Sequence, residues 1–279
     1  MTRTVDAFWG EITNQAALLY VRADREDESE RWTGIVTGPF SDHSKTLPSD
    51  FVVRDLGPGT TVMGGSCIVD PCCWSPALPV HYRLQTTLFR GEQMVEEESR
   101  QIALRRLGTN HRSFRFESNR WVLRGVQGKL RHLADTKPYR DTLATLVLDD
   151  VDQGSLQLAS RHGIPVLVNL DSCDNLQSSL RILAQWPAAG LVVVPNDTTA
   201  DIRQLAPNLL YGLAGSTVAN WCDFWLAEPD VVRQQANATT KPLVVSSKQR
   251  WEAFADARSA CDRLQQEMAA FGDFAGYIG

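Results

Sequence analysis

The chain has 279 residues, of which 43% are hydrophobic and 22% charged, and its formal net charge is −5. This is the composition of a globular protein that can bury a sizeable core. The negative charge and the absence of a basic stripe argue against a nucleic-acid or membrane-surface partner. Segment 1–24 holds no uninterrupted apolar stretch, and no run approaches the ~18 apolar residues of a membrane span. We therefore expect a cytoplasmic protein.

The six cysteines and five histidines are distributed without a metal-binding pattern. Cys72 and Cys73 are adjacent, whereas the remaining cysteines are scattered, as are the histidines. No C-x-x-C spacing occurs, so neither a metal site nor any other cofactor is predicted. We expect buried, reduced thiols at Cys67, Cys72, Cys73, Cys173, Cys222 and Cys261.

Residues 1 to about 120 contain short apolar runs with partial alternation, separated by glycine-containing turns. Runs of this length with turns every ~8–12 residues are typical of an all-β sandwich. Phe89–Glu92 separates two of them as a hairpin, and the highly charged Arg25–Trp32 is expected to be an exposed loop. The predicted strands are Ala16–Arg22, Gly34–Thr37, Phe51–Val53, Thr60–Met63, Tyr82–Phe89, Gln93–Glu98 and Ile102–Arg106.

From Trp121 onward, the pattern changes to short apolar runs separated by segments with helical spacing. Strands that alternate with helices indicate a parallel sheet, and eight such strands indicate a closed barrel. The runs are Trp121–Val126, Leu143–Leu148, Pro165–Leu170, Gly190–Val194, Leu209–Ala214, Cys222–Leu226, Pro242–Val245 and Phe274–Ile278. Capping residues and apolar periodicity predict helices at Asp152–His162, Asn175–Trp186 and Arg250–Phe271.

The predicted barrel is short, because residues 121–279 must form it where roughly 200 or more are usual. There is room only for a tight loop between Ala214 and Trp221, and only Gly279 follows the eighth run. Without an eighth helix, the outer face of the last strand would expose a large apolar patch. The residues concerned are Phe271, Phe274, Tyr277 and Ile278. The sandwich domain, the segment Gly128–Tyr139 or a second subunit could cover them, and of these we expect a homodimer.

Two motifs lie near the junction of the two patterns. The first, Trp74-Ser75-Pro76 with Tyr82 and Leu84, resembles the W-S-P-x-x-P-x-x-Y-x-L strand entry of glycoside hydrolase family 2, the β-galactosidase and β-mannosidase group. Segments 100–106 and 114–126 are similar to its link into the first barrel strand. The resemblance implies an immunoglobulin-like β-sandwich over residues 1–115, followed by a reduced (β/α)8 TIM-type barrel over residues 116–279.

The resemblance also implies where catalytic groups should stand. The family is a retaining hydrolase type that needs an acid/base carboxyl group and a nucleophilic carboxylate ~5 Å apart. Its acid/base glutamate follows the fourth strand in an Asn-Glu pair, and here Asn196-Asp197 stands at that place. Its nucleophile ends the seventh strand, where this chain has Ser246-Ser247. A serine without an adjacent base cannot act as the glycosyl acceptor.

Two functions remain open on the sequence alone. The first is a non-catalytic relative that binds a carbohydrate, a small polyol or a protein. The second is an active O-glycosyl hydrolase that uses Asp197 and Glu228 as an altered carboxylate pair. Acidic residues follow four of the eight strands, and each of them could instead cap a helix. The candidate substrate-binding residues are Arg124, Asp149, Asp171, Asn196 and Ser246, with Arg124 expected inside the barrel and paired with Asp149 or another acid.

Overall fold

The structure is a computed structural model that describes residues 5–235, 239–247 and 249–279. The chain forms two compact units. One runs to Trp74 and from Leu78 to Arg105, and the other comprises Ser75–Ala77 and Arg106–Gly279. The division at 105/106 differs from the predicted boundary at 115/116, because short strands that follow Arg105 pack with the second unit.

The first unit is a seven-stranded antiparallel sheet in the order β1-β2-β5-β4-β3-β6-β7. Its strands are β1 (Val5–Ile12), β2 (Ala16–Asp24), β3 (Glu30–Ser41), β4 (Ser49–Asp55), β5 (Thr61–Val69), β6 (Val80–Arg90) and β7 (Gln93–Ile102).

The seven strands form one continuous, curled sheet, because β3 and β4 pair antiparallel in the middle of this order. Alternate side chains of β2, such as Leu19 and Val21, point into one buried core together with Trp32 of β3 and Leu84 of β6. The Trp32 indole N–H donates to the Val62 carbonyl at 3.1 Å. The curled sheet thus encloses one core, and the predicted sandwich is confirmed as a sandwich-like β domain.

Two local predictions in this unit are wrong. The predicted strand Ile102–Arg106 is irregular after Ile102. The segment Arg25–Trp32 is not all loop, since β3 begins at Glu30, whose side chain is fully buried and pairs with Arg90 at 2.8 Å. A paired carboxylate can enter a strand that its charge alone would disfavour. The hairpin at Phe89–Glu92 is confirmed, with Arg90 opposite Gln93.

The second unit is a closed barrel of eight parallel strands in sequential order. Each of the eight predicted runs overlaps one barrel strand, to within one or two residues at most ends. The strands are β11 (Leu123–Gln127), β12 (Thr145–Leu148), β13 (Val166–Asn169), β14 (Ala189–Val194), β15 (Leu210–Ala214), β16 (Phe224–Ala227), β17 (Leu243–Ser246) and β18 (Gly276–Ile278), and they follow the short antiparallel strands β8 (Leu107–Asn110), β9 (Ser113–Phe116) and β10 (Asn119–Trp121).

Five α-helices lie between the described barrel strands. The side chains of Asp152 and Asn175 cap the second and third, as the sequence predicts. A short 3₁₀ helix, Ala200–Gln204, follows β14, and no helix lies between β15 and β16. The helices are α1 (Leu133–Thr142), α2 (Gln153–His162), α3 (Leu176–Leu183), α4 (Pro229–Gln235) and α5 (Phe254–Met268).

Large side chains fill the barrel interior, and glycines on the adjacent strands leave room for them. Phe224 of β16 is fully buried and lies edge-on to Phe114 of β9, with ring centroids 5.6 Å apart. Phe114 thereby places the β8–β10 sheet against the amino-terminal end of the barrel. A Cβ atom at Gly212 would overlap the Phe224 ring. Only glycine leaves room there for a phenylalanine in the interior.

The prediction of an exposed apolar patch at the last strand is wrong. Phe274, Tyr277 and Ile278 are buried, and only Phe271 is appreciably exposed. The reason is the position of α5, which packs on both β18 and β11 and so covers the face expected to need an eighth helix. The homodimer stays a prediction, but the exposed patch that motivated it does not exist.

The cysteines are reduced, but they are not all buried. Cys222 and Cys261 are buried, Cys67 is exposed, and the others are intermediate. Cys67 is exposed because side chains alternate along β5. Its neighbours Ser66 and Ile68 face the core, so Cys67 faces the other side of the sheet. Burial raises the pKa of both the Cys222 and Cys261 thiols.

Replacing Gly212 by alanine should destabilise the barrel by about 1–3 kcal/mol, because the new methyl group overlaps Phe224 in a filled interior. Gly108→Ala is the control, since a Cβ there meets nothing within 4 Å. Urea denaturation followed by tryptophan fluorescence measures both variants. Equal midpoints for the two variants would contradict this account of the interior.

The thiols should differ in their reaction with iodoacetamide at pH 8. A raised pKa leaves less thiolate at a given pH, so Cys222 and Cys261 should stay unmodified until denaturant is added. Cys67 should be alkylated first, and peptide mapping by mass spectrometry would assign each site. Modification of Cys261 in the native protein at the rate of Cys67 would show that α5 opens readily.

Candidate active site at the barrel mouth

The carboxyl ends of the barrel strands place polar side chains around one opening. Leu123, Val147, Leu167 and Val244 point into the barrel, and side chains alternate along each strand. By the same alternation, the polar residues that end or directly follow several strands also point toward the barrel axis. They lie at the carboxyl-terminal face, where TIM-type barrels carry their active sites. These residues are Gln127, Asp149, Asn169, Glu228 and Ser246.

Asp149 is held by two side chains at this mouth. Its Oδ2 accepts a hydrogen bond from Arg250 at 3.0 Å, and its Oδ1 accepts one from the Gln127 amide at 3.4 Å. Arg250 belongs to the segment after β17, whereas Asp149 follows β12, so the ion pair spans the mouth beside β18 and β11. The neighbouring Asp150 pairs instead with Lys129 at 3.1 Å. The segment after the seventh barrel strand thus supplies the cation that pairs with Asp149 after the second barrel strand.

Asp197 and Glu228 are both exposed, at the exits of β14 and β16. Strand β15 lies between these strands, which places their backbones roughly 10 Å apart at ~4.8 Å per strand. A retaining pair needs carboxyl groups ~5–5.5 Å apart. The two side chains would have to lean toward each other over β15 to reach that separation.

The exit of the seventh strand carries hydroxyl groups. Ser246 ends β17, and its hydroxyl donates to the Ser247 carbonyl at 3.4 Å. The Ser247 N–H donates to the Ile278 carbonyl at 2.9 Å, which fixes this exit against β18. In the described part of this segment, the first carboxylate after β17 is the exposed Glu252.

Arg124 is not in the mouth, contrary to the prediction. Leu123 faces the barrel interior, and Arg124 follows it with the opposite orientation. It lies opposite Tyr277 of β18, on the outer face that α5 covers. The predicted pairing with Asp149 fails for the same reason, and that acid pairs with Arg250 instead.

The remaining predicted residues lie in loops above the strands. Asp171 is exposed, and its backbone N–H donates to the Asn169 side chain at 3.2 Å. Asn196 is exposed beside Asp197. The sequence reasoning missed Asn169 because it lies inside the predicted strand Pro165–Leu170, although its alternation with Leu167 marks it as inward. It missed Arg250 because the predicted helix began there, whereas α5 begins at Phe254.

The described residues contain no group of three or more His, Cys, Asp or Glu that could hold a metal ion. In the same part of the chain, no helix is both long and apolar enough to span a membrane.

The fold is that of glycoside hydrolase family 2 structures. A family 2 member from Bacteroides cellulosilyticus matches with a TM-score of 0.64 at 12% identity, over 98% of this chain and 44% of that chain. Bacteroides uniformis β-glucuronidase 2 matches with a TM-score of 0.62 at 13% identity, over 98% and 45%. The β-D-glucuronidase of Dictyoglomus thermophilum matches with a TM-score of 0.60 at 13% identity, over 98% and 61%.

These matches establish the fold, and the predicted resemblance is confirmed at that level. The chain spans between 44% and 61% of the length of these proteins. No protein-family profile and no curated protein sequence matches it.

Two ion pairs of the barrel unit should differ in their contribution to stability. Arg250→Gln should change the unfolding free energy by less than about 1 kcal/mol, because both partners of its pair are largely exposed. Arg203→Gln should cost about 2–3 kcal/mol, since Arg203 binds both Asp223 oxygens and the Trp221 carbonyl in a partly buried site. Urea denaturation compares the two. A large loss in Arg250→Gln would give the mouth ion pair a structural role.

Proposed function

We propose that this protein is a non-catalytic relative of the family 2 glycosidases whose barrel mouth binds a carbohydrate. The observation that carries the proposal is the strand-seven exit. A retaining glycosidase needs a free carboxylate there, and this chain has Ser246 with its hydroxyl turned to its own backbone.

The ion pair across the mouth supports the same conclusion. Arg250, in the segment after the strand-seven exit, pairs with Asp149 at 3.0 Å and neutralises its charge. The guanidinium and the amide thus each occupy one carboxylate oxygen of Asp149, which follows β12 and not the seventh strand, where the family's nucleophile stands. The active alternative would have to rely on Asp197 and Glu228, whose strands are not neighbours.

The mouth nevertheless has groups suited to a polyhydroxylated ligand. Gln127, Asn169 and Ser246 offer amide and hydroxyl groups, and Asp149 and Glu228 offer carboxylate oxygens. A few convergent polar groups in a concave site set the orientation of a small ligand. Sugar hydroxyls donate well to carboxylates, so Asp149 is proposed as a principal acceptor.

Binding is tested by isothermal titration with the methyl β-glycosides of glucose, galactose, mannose and glucuronic acid. At least one should bind, and Asp149→Asn should weaken that binding about five-fold or more, since a charged hydrogen-bond acceptor is lost. Asp150→Asn is the matched control, because Asp150 pairs with Lys129 and should change the affinity less than two-fold. No binding by any glycoside, or equal losses in both variants, would refute the proposed site.

Catalysis is tested separately with aryl β-glycosides of the same four sugars. We expect no release of the aryl alcohol above the uncatalysed rate, and no difference in Asp197→Ala or Glu228→Ala. Turnover by the unaltered protein that either substitution abolishes would establish the active alternative in place of the proposal.

A further inference from the structure

The barrel unit contains a cavity of about 830 Å³ at the end opposite the mouth. Its walls include Pro76, Trp121, Tyr139, Leu143 and Pro165, of which Pro165 immediately precedes β13. Site volumes of roughly 300–1,000 Å³ with mostly apolar walls are typical of small-molecule sites. Neither the mouth residues nor the proposed sugar site uses this cavity.

Leu143 is the unusual wall residue. It ends α1 in the left-handed conformation, with φ 52° and ψ 36°, where glycine is the usual residue and a branched side chain is strained. Its side chain is 71% exposed, so burial in the fold does not compensate for the strain. A strained, exposed leucine at a cavity rim is explained if the side chain contacts a ligand.

The charges at the rim indicate the sign of that ligand. Lys137 is neutralised by Asp141 at 2.9 Å, and Glu117 lies 3.8 Å from Arg106. Arg140 lies on the same helix and lines the cavity, and no acidic side chain among the described residues forms an ion pair with it. The rim therefore has one guanidinium that is free to pair with an anion, and a planar carboxylate matches its geometry.

We propose that this cavity binds an amphipathic aromatic carboxylate. Its rings would lie among Trp121, Pro76 and Leu143, and its carboxylate would pair with Arg140. Trp121 offers a half-buried ring, which Phe114 and Phe116 support at centroid distances of 5.9 Å and 5.7 Å. Apolar walls supply most of the binding, and the single cation discriminates in favour of an acid.

The test is isothermal titration with 2-naphthoate and with its neutral counterpart 2-naphthalenemethanol. Naphthoate should bind more tightly, and Arg140→Gln should weaken naphthoate about five- to ten-fold while leaving the alcohol unchanged. Lys137→Gln is the matched control on the same helix, and it should alter neither affinity more than two-fold because Asp141 already neutralises Lys137.

Leu143→Gly tests the apolar half of the proposal without risk to the fold, because glycine relieves the left-handed conformation. Both ligands should bind several-fold more weakly to this variant, while its thermal midpoint stays equal or rises. The proposal is overturned if naphthoate fails to bind at millimolar concentration. It is also overturned if Arg140→Gln weakens both ligands equally, or if Leu143→Gly binds them as the parent does.

Discussion

Closure of the barrel between its first and last strands is the constraint on which the second unit depends. Strand β18 pairs with β11, placing Gly276 opposite Leu123 and Ile278 opposite Gly125. A Cβ atom at Gly276 would lie 2.6 Å from the Leu123 Cβ, and one at Gly125 would lie 2.6 Å from the Ile278 Cγ1. Each large side chain at this seam therefore requires a glycine across from it. With the seam closed, each of the eight barrel strands is paired on both sides, and α5 covers the outside of β18 and β11.

Closure also determines which side chains share the mouth. The sequential order of the strands brings the exits of β17, β18, β11 and β12 onto one arc, and Arg250 can therefore reach Asp149 across two intervening strands. The same geometry keeps Asp197 and Glu228 on the opposite arc with β15 between them. The chemistry of the mouth thus follows from strand order and from which residue ends each strand. On this basis the protein has the fold of the family 2 glycosidases, with Ser246 and not a carboxylate at the strand-seven exit.

The sequence predicts most of the fold because the barrel strands are short and almost wholly apolar. Short apolar runs between capped helices are typical of buried parallel strands. All eight runs and the caps at Asp152 and Asn175 are found where the pattern places them. The failures are tertiary. The orientation of Arg124 depends on which face of β11 turns inward, and a single strand of five residues does not reveal this. The coverage of Phe274 and Tyr277 depends on α5 shifting to the seam, which no local pattern records. The role of Arg250 was not predicted because the expected helix begins at Arg250, four residues before α5 begins.

Covalent labelling of the mouth tests the central claim most directly. Cyclophellitol-6-carboxylate aziridine is bound covalently by Bacteroides uniformis β-glucuronidase 2, and analogues of other sugar configurations extend the same electrophile. Incubation of this protein with the glucuronic, gluco, galacto and manno forms, followed by intact-protein mass spectrometry, should leave its mass unchanged. A single stoichiometric adduct that peptide mapping assigns to Asp149, Asp197 or Glu228 would show a working nucleophile and contradict the account.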